Sequence, residues 1–228
     1  MANKKFGRHS QQANDFLQPN NVTTLTATNV GTNRPYTSTA SSSTPANGTG
    51  GAATLSWNAP SDPQPTTYSI TTTPSTYTAT VSAPATSYTF QGLASNTSYT
   101  FTVVATNAAG SSSGTTSSST LITTIPAVPS APTATAGVNQ DSVTWSAPAN
   151  GGSAITQYTL KSSDGPTYNT ANTSYTVSET ANTSQTYQVL ATNANGSTAY
   201  SASSNQVTTL APYFPYFPYF PPFFPPWF

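Results

Sequence analysis

Apolar and polar residues alternate with a period of two through most of the chain from Val22 onward. In the clearest segment Tyr99, Phe101, Val103 and Ala105 share one face of a strand, and the intervening threonines face mostly the other way. Gly, Pro, Asn and Ser interrupt the pattern at short intervals, which is typical of an antiparallel sandwich. The pattern predicts an all-β protein. The strands expected in the first half are 22–30, 53–57, 66–73, 75–81, 86–90, 98–107 and a final run to Ile122.

Three motifs of the first half recur in the second half at offsets that differ by only a few residues. Trp57-Asn-Ala-Pro60 returns as Trp145-Ser-Ala-Pro148, Tyr68-Ser-Ile70 as Tyr158-Thr-Leu160, and Val103-Val-Ala-Thr-Asn107 as Val189-Leu-Ala-Thr-Asn193. Offsets that drift slightly indicate tandem domains with different loops, not a rigid solenoid.

At these motifs the chain resembles a tandem of fibronectin type III domains. The family pattern is a strand-B Trp followed by Ala-Pro, a strand-C Tyr, and Tyr-x-Phe-x-Val-x-Ala-x-Asn along strand F. The first copy matches at Trp57, Tyr68 and from Tyr99 to Asn107. The second copy matches at Trp145, Ala147, Pro148, Gly151, Gly152, Tyr158, Tyr187, Val189, Ala191 and Asn193. The resemblance implies two immunoglobulin-like sandwiches.

Two departures from the family pattern lead to further expectations. The first domain has a loop of about twenty residues between its first two strands, where the second has about three. Gln185 stands where the first domain has Tyr99, at the position of the tyrosine corner. We therefore expect the second domain to lack that hydroxyl-to-backbone bond and to be the less stable of the two.

The composition shifts divide the chain into five segments. They are an N-terminal arm (1–21), a first domain (22–122, with the long loop at 31–51), a proline-containing linker (123–130), a second domain (131–210) and a C-terminal tail (211–228). Because the linker is short and contains prolines, we expect the two sandwiches to form a semi-rigid rod.

The tail, APYFPYFPYFPPFFPPWF, holds seven prolines, ten aromatic residues and no charge. Its first prolines recur every third residue, which is the period of polyproline II and excludes an α-helix. Burying one large apolar side chain contributes roughly 1.5–3 kcal/mol, so burying even half of these rings could anchor the chain to a partner. The predicted anchor residues are Tyr213, Phe214, Tyr216, Phe217, Tyr219, Phe220, Phe223, Phe224, Trp227 and Phe228.

The arm is polar and holds three of the five basic residues of the chain. One interpretation is a solvated, disordered terminus. The other is a docking arm that contacts an assembly through Lys4, Lys5, Phe6 and Arg8. The arm has no apolar stretch, so we expect no secretory signal peptide.

Composition argues against several classes of function. The net charge is zero, which favours neither nucleic acid nor an anionic membrane as a partner, and no run is apolar enough for membrane insertion. There is no cysteine, and the single histidine, His9, lies in the arm, so a His-based triad within a domain is impossible. Asp62, Asp141 and Asp164 are predicted in or beside turns, where Asp commonly bonds the backbone. We expect no enzyme activity, no cofactor and no metal.

Two tandem domains of a type found on surfaces, followed by an uncharged tail of aromatic residues and prolines, resemble the decoration and fibre proteins of tailed bacteriophages. We therefore expect a virion protein, made in the host cytoplasm, whose tail binds capsid or tail/neck proteins. Its loops at 62–65, 151–153 and 195–198 would contact host glycans or surface proteins weakly. One alternative is a self-trimerising fibre adhesin, in which the tails of a homo-oligomer bundle together. Another is a bacterial cell-surface adhesin exported without a Sec signal.

Overall fold

The computed structural model describes residues 17–31, 50–74 and 77–213. Within these ranges the regular structure is all β-strand, and no helix in them is long and apolar enough to span a membrane. The strands form two antiparallel sandwiches in tandem. The predicted fold class is therefore confirmed.

The first sandwich packs a three-stranded sheet, in the order β1-β2-β5, against a six-stranded sheet built around β3 and β6. In the second sheet β4 lies beside β3, and three short strands pair with β6. The strands are β1 (Thr23–Asn29), β2 (Gly51–Asn58), β3 (Thr67–Thr73), β4 (Thr78–Ser82), β5 (Ser87–Leu93), β6 (Thr97–Asn107), β7 (Gly110–Ser111), β8 (Thr115–Thr116) and β9 (Thr120–Ile122).

The second sandwich repeats this plan with sheets β10-β11-β14 and β13-β12-β16-β17, and a two-stranded ladder joins β15 to β18. The strands are β10 (Thr133–Gly137), β11 (Gln140–Thr144), β12 (Ile155–Ser162), β13 (Thr167–Thr170), β14 (Ser174–Ser178), β15 (Ser184–Gln185), β16 (Tyr187–Asn193), β17 (Gly196–Ser197) and β18 (Val207–Thr208).

Each sandwich has its own core, and the repeated Trp and Tyr lie at equivalent places in both cores. Trp57 meets Tyr68 edge-on with ring centroids 5.2 Å apart, and Trp145 meets Tyr158 at 5.6 Å. The predicted inner face of β6 is buried throughout, whereas its threonines are partly exposed. The period-two pattern therefore identified the core face correctly.

Strand positions agree with the sequence pattern to within a few residues. The run expected at 75–81 is the exception, because β4 begins at Thr78 and residues 75–76 lie outside the described residues. The long loop is present as the connection from β1 to β2, most of which also lies outside them. The corresponding turn of the second sandwich, between β10 and β11, has only residues 138–139.

The tyrosine corner differs between the sandwiches as expected. In the first sandwich the Ala94 N–H donates to the hydroxyl oxygen of Tyr99 at 3.3 Å. In the second, the side-chain oxygen of Gln185 accepts hydrogen bonds from the hydroxyls of Ser162 and Ser163. Gln185 therefore joins strands β15 and β12 by side-chain contacts instead, and the lower stability of this sandwich stays a prediction.

Candidate interaction sites

The linker between the sandwiches is held by two loops of the second sandwich. The Thr124 N–H donates to the Gly151 carbonyl at 2.9 Å, and the Ala127 N–H donates to the Ala149 carbonyl at 2.9 Å. Thr124 is fully buried. The linker is thus paired with the second sandwich along its first residues, which restricts rotation between the two sandwiches.

Two asparagines close this junction from the other side. The buried Asn193 side-chain amide donates to the carbonyls of Thr124 at 2.8 Å and Asn150 at 2.9 Å. Asn195 donates to the same Thr124 carbonyl at 2.9 Å. Its side-chain oxygen also accepts from the hydroxyl of Thr123 at 3.4 Å. The end of strand β16 therefore binds the linker backbone directly.

Glycine is required where the loop crosses the linker. Gly151 has a φ of +68°, and a Cβ there would lie 2.5 Å from the Thr124 carbonyl oxygen. Gly152, with a φ of +82°, approaches the Cα of Asn96 in the first sandwich, where a Cβ would lie at 3.1 Å. Only a residue without a side chain fits both the left-handed backbone and the close approach. A groove of about 500 Å³ remains open at the junction, and it is lined by Asn96, Asn150, Tyr158 and apolar residues of the second sandwich.

These contacts change the interpretation of the loops predicted to bind host molecules. Within the loops at 151–153 and 195–198, Gly151 and Asn195 bond the linker, so these two residues do not project as free loop tips. Residues 62–65 lie beside the base of the arm, since Asn20 donates to the Asp62 carbonyl at 3.0 Å. The sequence could not distinguish a solvated turn from one that a linker covers.

The base of the arm binds the first sandwich as the linker binds the second. Asn107, which corresponds to Asn193, donates through its side-chain amide to the Leu17 carbonyl at 2.8 Å. Asn21 bonds the main chain of Gly114 and the hydroxyl of Ser113. The arm therefore leaves from the end of the first sandwich that is opposite to the linker. The proposed arm contacts Lys4, Lys5, Phe6 and Arg8 lie outside the described residues.

The tail leaves from the far end of the second sandwich. Leu210 forms a parallel bridge with Val138: its N–H donates to the Gly137 carbonyl at 2.8 Å, and its carbonyl accepts from the Asn139 N–H at 3.1 Å. Val138 is 51% exposed, Leu210 is 52% exposed and Tyr213 is 88% exposed. Because Val138 and Leu210 are bridge partners, they lie side by side at the point where the tail begins, and we call this pair the tail-root patch.

Of the ten predicted anchor residues, only Tyr213 lies within the described residues. It is the most exposed of the large hydrophobic side chains that the structure describes. Phe214 and the later anchor residues lie outside them. The arm base and the tail root therefore occupy opposite ends of the two-sandwich unit, which the sequence alone did not indicate.

Asp141 lies beside the turn at 138–139, as expected, but its carboxylate bonds other side chains and not the backbone. Asp141 lies within β11, is fully buried, and accepts hydrogen bonds from the hydroxyls of Tyr187 at 2.8 Å and Thr209 at 3.2 Å. Burial, together with the bond to the Asp141 carboxylate, raises the pKa of Tyr187. Burial also raises the pKa of Glu179, to which the carboxylates of Asp164 and Asp141 contribute. These contacts join strands at the tail end of the sandwich.

The described residues contain no group of three or more His, Asp or Glu side chains that could hold a metal ion. Asp164 lies in the turn between β12 and β13, as expected. Tyr77 has a pKa raised to about 12 by burial and by the neighbouring Tyr99, and its hydroxyl donates to the Gly92 carbonyl at 2.8 Å. Its role is therefore structural, because the hydroxyl is buried and already bonded.

The first sandwich is similar to a known domain family. Residues 39–121 match the family model of the Fibronectin type III domain. Solved structures with similar coordinates include the FN1–FN3 domains of chicken CNTN1, at 16% identity and a TM-score of 0.45, covering 85% of this chain and 67% of that one. The A168–A170 domains of titin give 20% identity and a TM-score of 0.43, covering 70% of this chain and 58% of the other. Titin kinase with its flanking domains gives 26% identity and a TM-score of 0.33, covering 37% of this chain and 17% of that one.

No significantly similar sequence was found among curated proteins. The fold is that of a tandem β-sandwich protein, and its first sandwich is similar to the fibronectin type III domain over the matched residues. Domains of this type suggest a structural or adhesion protein, and no enzyme family matched the chain.

Proposed function

We propose that the chain is a non-enzymatic structural protein of a virion, a capsid decoration or short fibre, anchored through residues 211–228. The observation that carries this proposal is the tail, which brings ten aromatic side chains and no charge into eighteen residues. In polyproline II such a tail would reach about 55 Å, long enough to cross a neighbouring subunit. The sandwiches then project from the assembly and touch host surfaces weakly.

The tail-root patch supports a role for the second sandwich in the same contact. Val138 and Leu210 are half-exposed aliphatic side chains, and Leu210 precedes the first anchor residue, Tyr213, by three positions. A partner that binds the tail close to the sandwich would cover this patch as well, because only two residues separate Leu210 from Tyr213. Burying both would set the angle at which the sandwiches leave the anchoring surface.

The junction supports a display role. A linker whose backbone is bonded to Gly151, Asn193 and Asn195 transmits orientation from the second sandwich to the first. The first sandwich and the arm base then stand at a fixed distance from the anchor. A freely jointed pair of domains would not hold that position.

The test measures how much of the chain is present in purified particles, for particles produced with the full chain and for particles produced with a chain that ends at Pro212. Ending at Pro212 removes all ten rings but keeps the hydrogen bonds of Leu210 that close the sandwich. We expect the shortened chain to be absent from purified particles while its sandwiches stay folded. Particles that carry the shortened chain at the full-length level would contradict the proposal.

A matched pair of variants tests the patch. Val138→Asp places a charge in it, whereas Val128→Asp changes an equally exposed valine, 46% exposed, near the junction. Losing burial of one half-exposed valine corresponds to roughly 1 kcal/mol, or about fivefold in affinity. We expect Val138→Asp to be incorporated into particles less than the wild type, and Val128→Asp to be incorporated like the wild type. Equal incorporation of both variants would show that the tail alone is the anchor.

A further inference from the structure

Side-chain hydroxyls, in place of an ordinary β-ladder, close one edge of the second sandwich. After β17 the chain runs beside β16, and Thr198, Ser201 and Ser204 donate their N–H groups to the carbonyls of Ala191, Val189 and Tyr187 at 2.8–2.9 Å. In an antiparallel ladder the N–H groups of those β16 residues would donate hydrogen bonds to backbone carbonyls of the neighbouring strand. In this sandwich they do not.

The hydroxyl oxygens take the place of the carbonyls. The N–H groups of Ala191, Val189 and Tyr187 donate to the hydroxyls of Thr198, Ser201 and Ser204 at 3.1, 3.0 and 2.9 Å. Each hydroxyl in turn donates to the carbonyl of the residue that follows it, at 2.7–2.8 Å. One side chain thus satisfies a buried donor of the sheet and a carbonyl of its own segment.

This arrangement sets three residues of the segment against two residues of β16. Two strand residues rise about 6.8 Å, so the segment advances only about 2.3 Å per residue and is bulged throughout. An added strand needs donors and acceptors at a two-residue repeat. The hydrogen-bonding groups of residues 198–204 repeat every three residues, so they do not match the two-residue repeat of an added strand.

The same segment also closes the neighbouring sheet. The side chain of Asn205 donates to the Ala134 carbonyl at 2.9 Å and accepts from the Ala134 N–H at 3.0 Å. Ala134 lies in β10, an edge strand of its sheet. Both sheet edges on this side of the second sandwich therefore end in side-chain hydrogen bonds.

The first sandwich uses the same device at two positions. Ser112 and Ser117 donate their N–H groups to the carbonyls of Ala105 and Phe101, and their hydroxyls accept from the N–H groups of the same two residues at 3.0 and 3.1 Å. Ser117 again donates to the following carbonyl, of Ser118, at 2.8 Å. The repetition indicates a property of the sequence pattern and not of one loop.

We propose that these hydroxyl-closed edges prevent strand addition by second copies of the chain. Proteins commonly protect exposed edges with charged side chains, especially lysine. Only ten of the 228 residues are charged, and none of residues 198–206 is. In this Ser/Thr-rich β protein, the buried hydroxyl side chains of Thr198, Ser201 and Ser204, at every third position, supply the protection that charge supplies elsewhere.

The test uses full-length Ser201→Ala with Ser203→Ala as the matched control. Ser203 lies two residues away, is exposed, and makes no side-chain hydrogen bond in the structure. Ser201→Ala leaves the buried Val189 N–H without its acceptor. We expect this variant to unfold at least about 4 °C lower and to exchange the Val189 amide faster, with no change for Ser203→Ala. Ser201→Thr keeps the hydroxyl and should behave as wild type.

Association is the second readout. At equal concentration below the unfolding temperature, Ser201→Ala should show more intermolecular β-structure by infrared spectroscopy than Ser203→Ala. If Ser201→Ala is destabilised but associates no more than the control, the hydroxyls only stabilise the fold and the proposed protection is wrong. If the two variants unfold and exchange alike, the hydroxyl closure itself is refuted. Neither result bears on anchoring by the tail.

Discussion

Removing the side chain of Asn193 should uncouple the two sandwiches. Its amide donates to the linker carbonyl of Thr124 and to the Asn150 carbonyl, and its oxygen accepts from the Asn195 N–H at 2.9 Å. The residue is 4% exposed, so water cannot easily replace these bonds. Asn193→Ala breaks these three hydrogen bonds and a longer one to the Ser153 carbonyl at 3.3 Å, and it leaves the fully buried Thr124 with one side-chain donor, Asn195, in place of two.

The magnitude follows from these contacts. A neutral hydrogen bond contributes about 1 kcal/mol net, and a buried group left without a partner costs about 1–3 kcal/mol. Since the linker can shift to recover part of the loss, we expect a destabilisation of about 2–3 kcal/mol. For a domain of this size that corresponds to a fall of roughly 8–24 °C in the melting temperature of the second sandwich.

Calorimetry and small-angle X-ray scattering on the full-length variant would measure both consequences. Asn107→Ala is the matched control, because Asn107 makes the corresponding bond to Leu17 at the arm base. We expect Asn193→Ala to scatter as two reorienting domains, and Asn107→Ala to keep the wild-type arrangement of the sandwiches. If Asn193→Ala leaves the scattering unchanged, the junction does not depend on this asparagine. If the wild-type protein already scatters as freely jointed domains, the semi-rigid rod is wrong.

Three further variants test the second sandwich. Tyr187→Phe removes the hydroxyl that donates to buried Asp141, and it should lower the free energy of unfolding in urea by about 1–3 kcal/mol. Tyr158→Phe is the control and should cost little, because the Tyr158 hydroxyl has no bonded partner in the structure. Equal losses in the two variants would contradict this role for Asp141. Gly151→Ala should loosen the junction in scattering, but Gly165→Ala should not, because Gly165 also has a positive φ (+116°) but open space around it. The pKa of Glu179 is raised, so its ionisation destabilises the folded state as pH rises above the ordinary value of 4.5. Glu179→Gln should therefore gain stability over wild type at neutral pH and lose that advantage in acid.

The fold could be predicted largely because its signals are local. Period-two alternation identified the buried face of β6, and the repeated Trp-x-Ala-Pro and Tyr motifs identified two equivalent cores. The exchange of Tyr99 for Gln185 predicted correctly that the second tyrosine corner is missing. Each of these inferences needs only residues that are neighbours within one strand, or residues that occupy the same position in the two copies of the repeated pattern.

The junction and the closed edges could not be predicted in this way, because they depend on which segments meet in space. Asn193 was recognised as part of the strand-F motif, but nothing in that motif shows that its amide binds a linker sixty-nine residues away. Asp141 follows a turn in sequence, yet the sandwich brings Tyr187 and Thr209 to both of its oxygens. Thr198, Ser201 and Ser204 recur every third residue, a period that belongs to neither a strand nor an α-helix and so does not by itself predict an element.

Sedimentation velocity of the full chain and of the chain ending at Pro212 tests the central claim that the tail is the element of association. The account predicts that the full-length protein associates, either into a discrete oligomer or into larger aggregates, and that the shortened chain is a folded monomer. A discrete oligomer would favour a fibre whose tails bundle together, and aggregation would favour a tail that binds a foreign surface. Two chains that both sediment as monomers at the same concentrations would contradict the account.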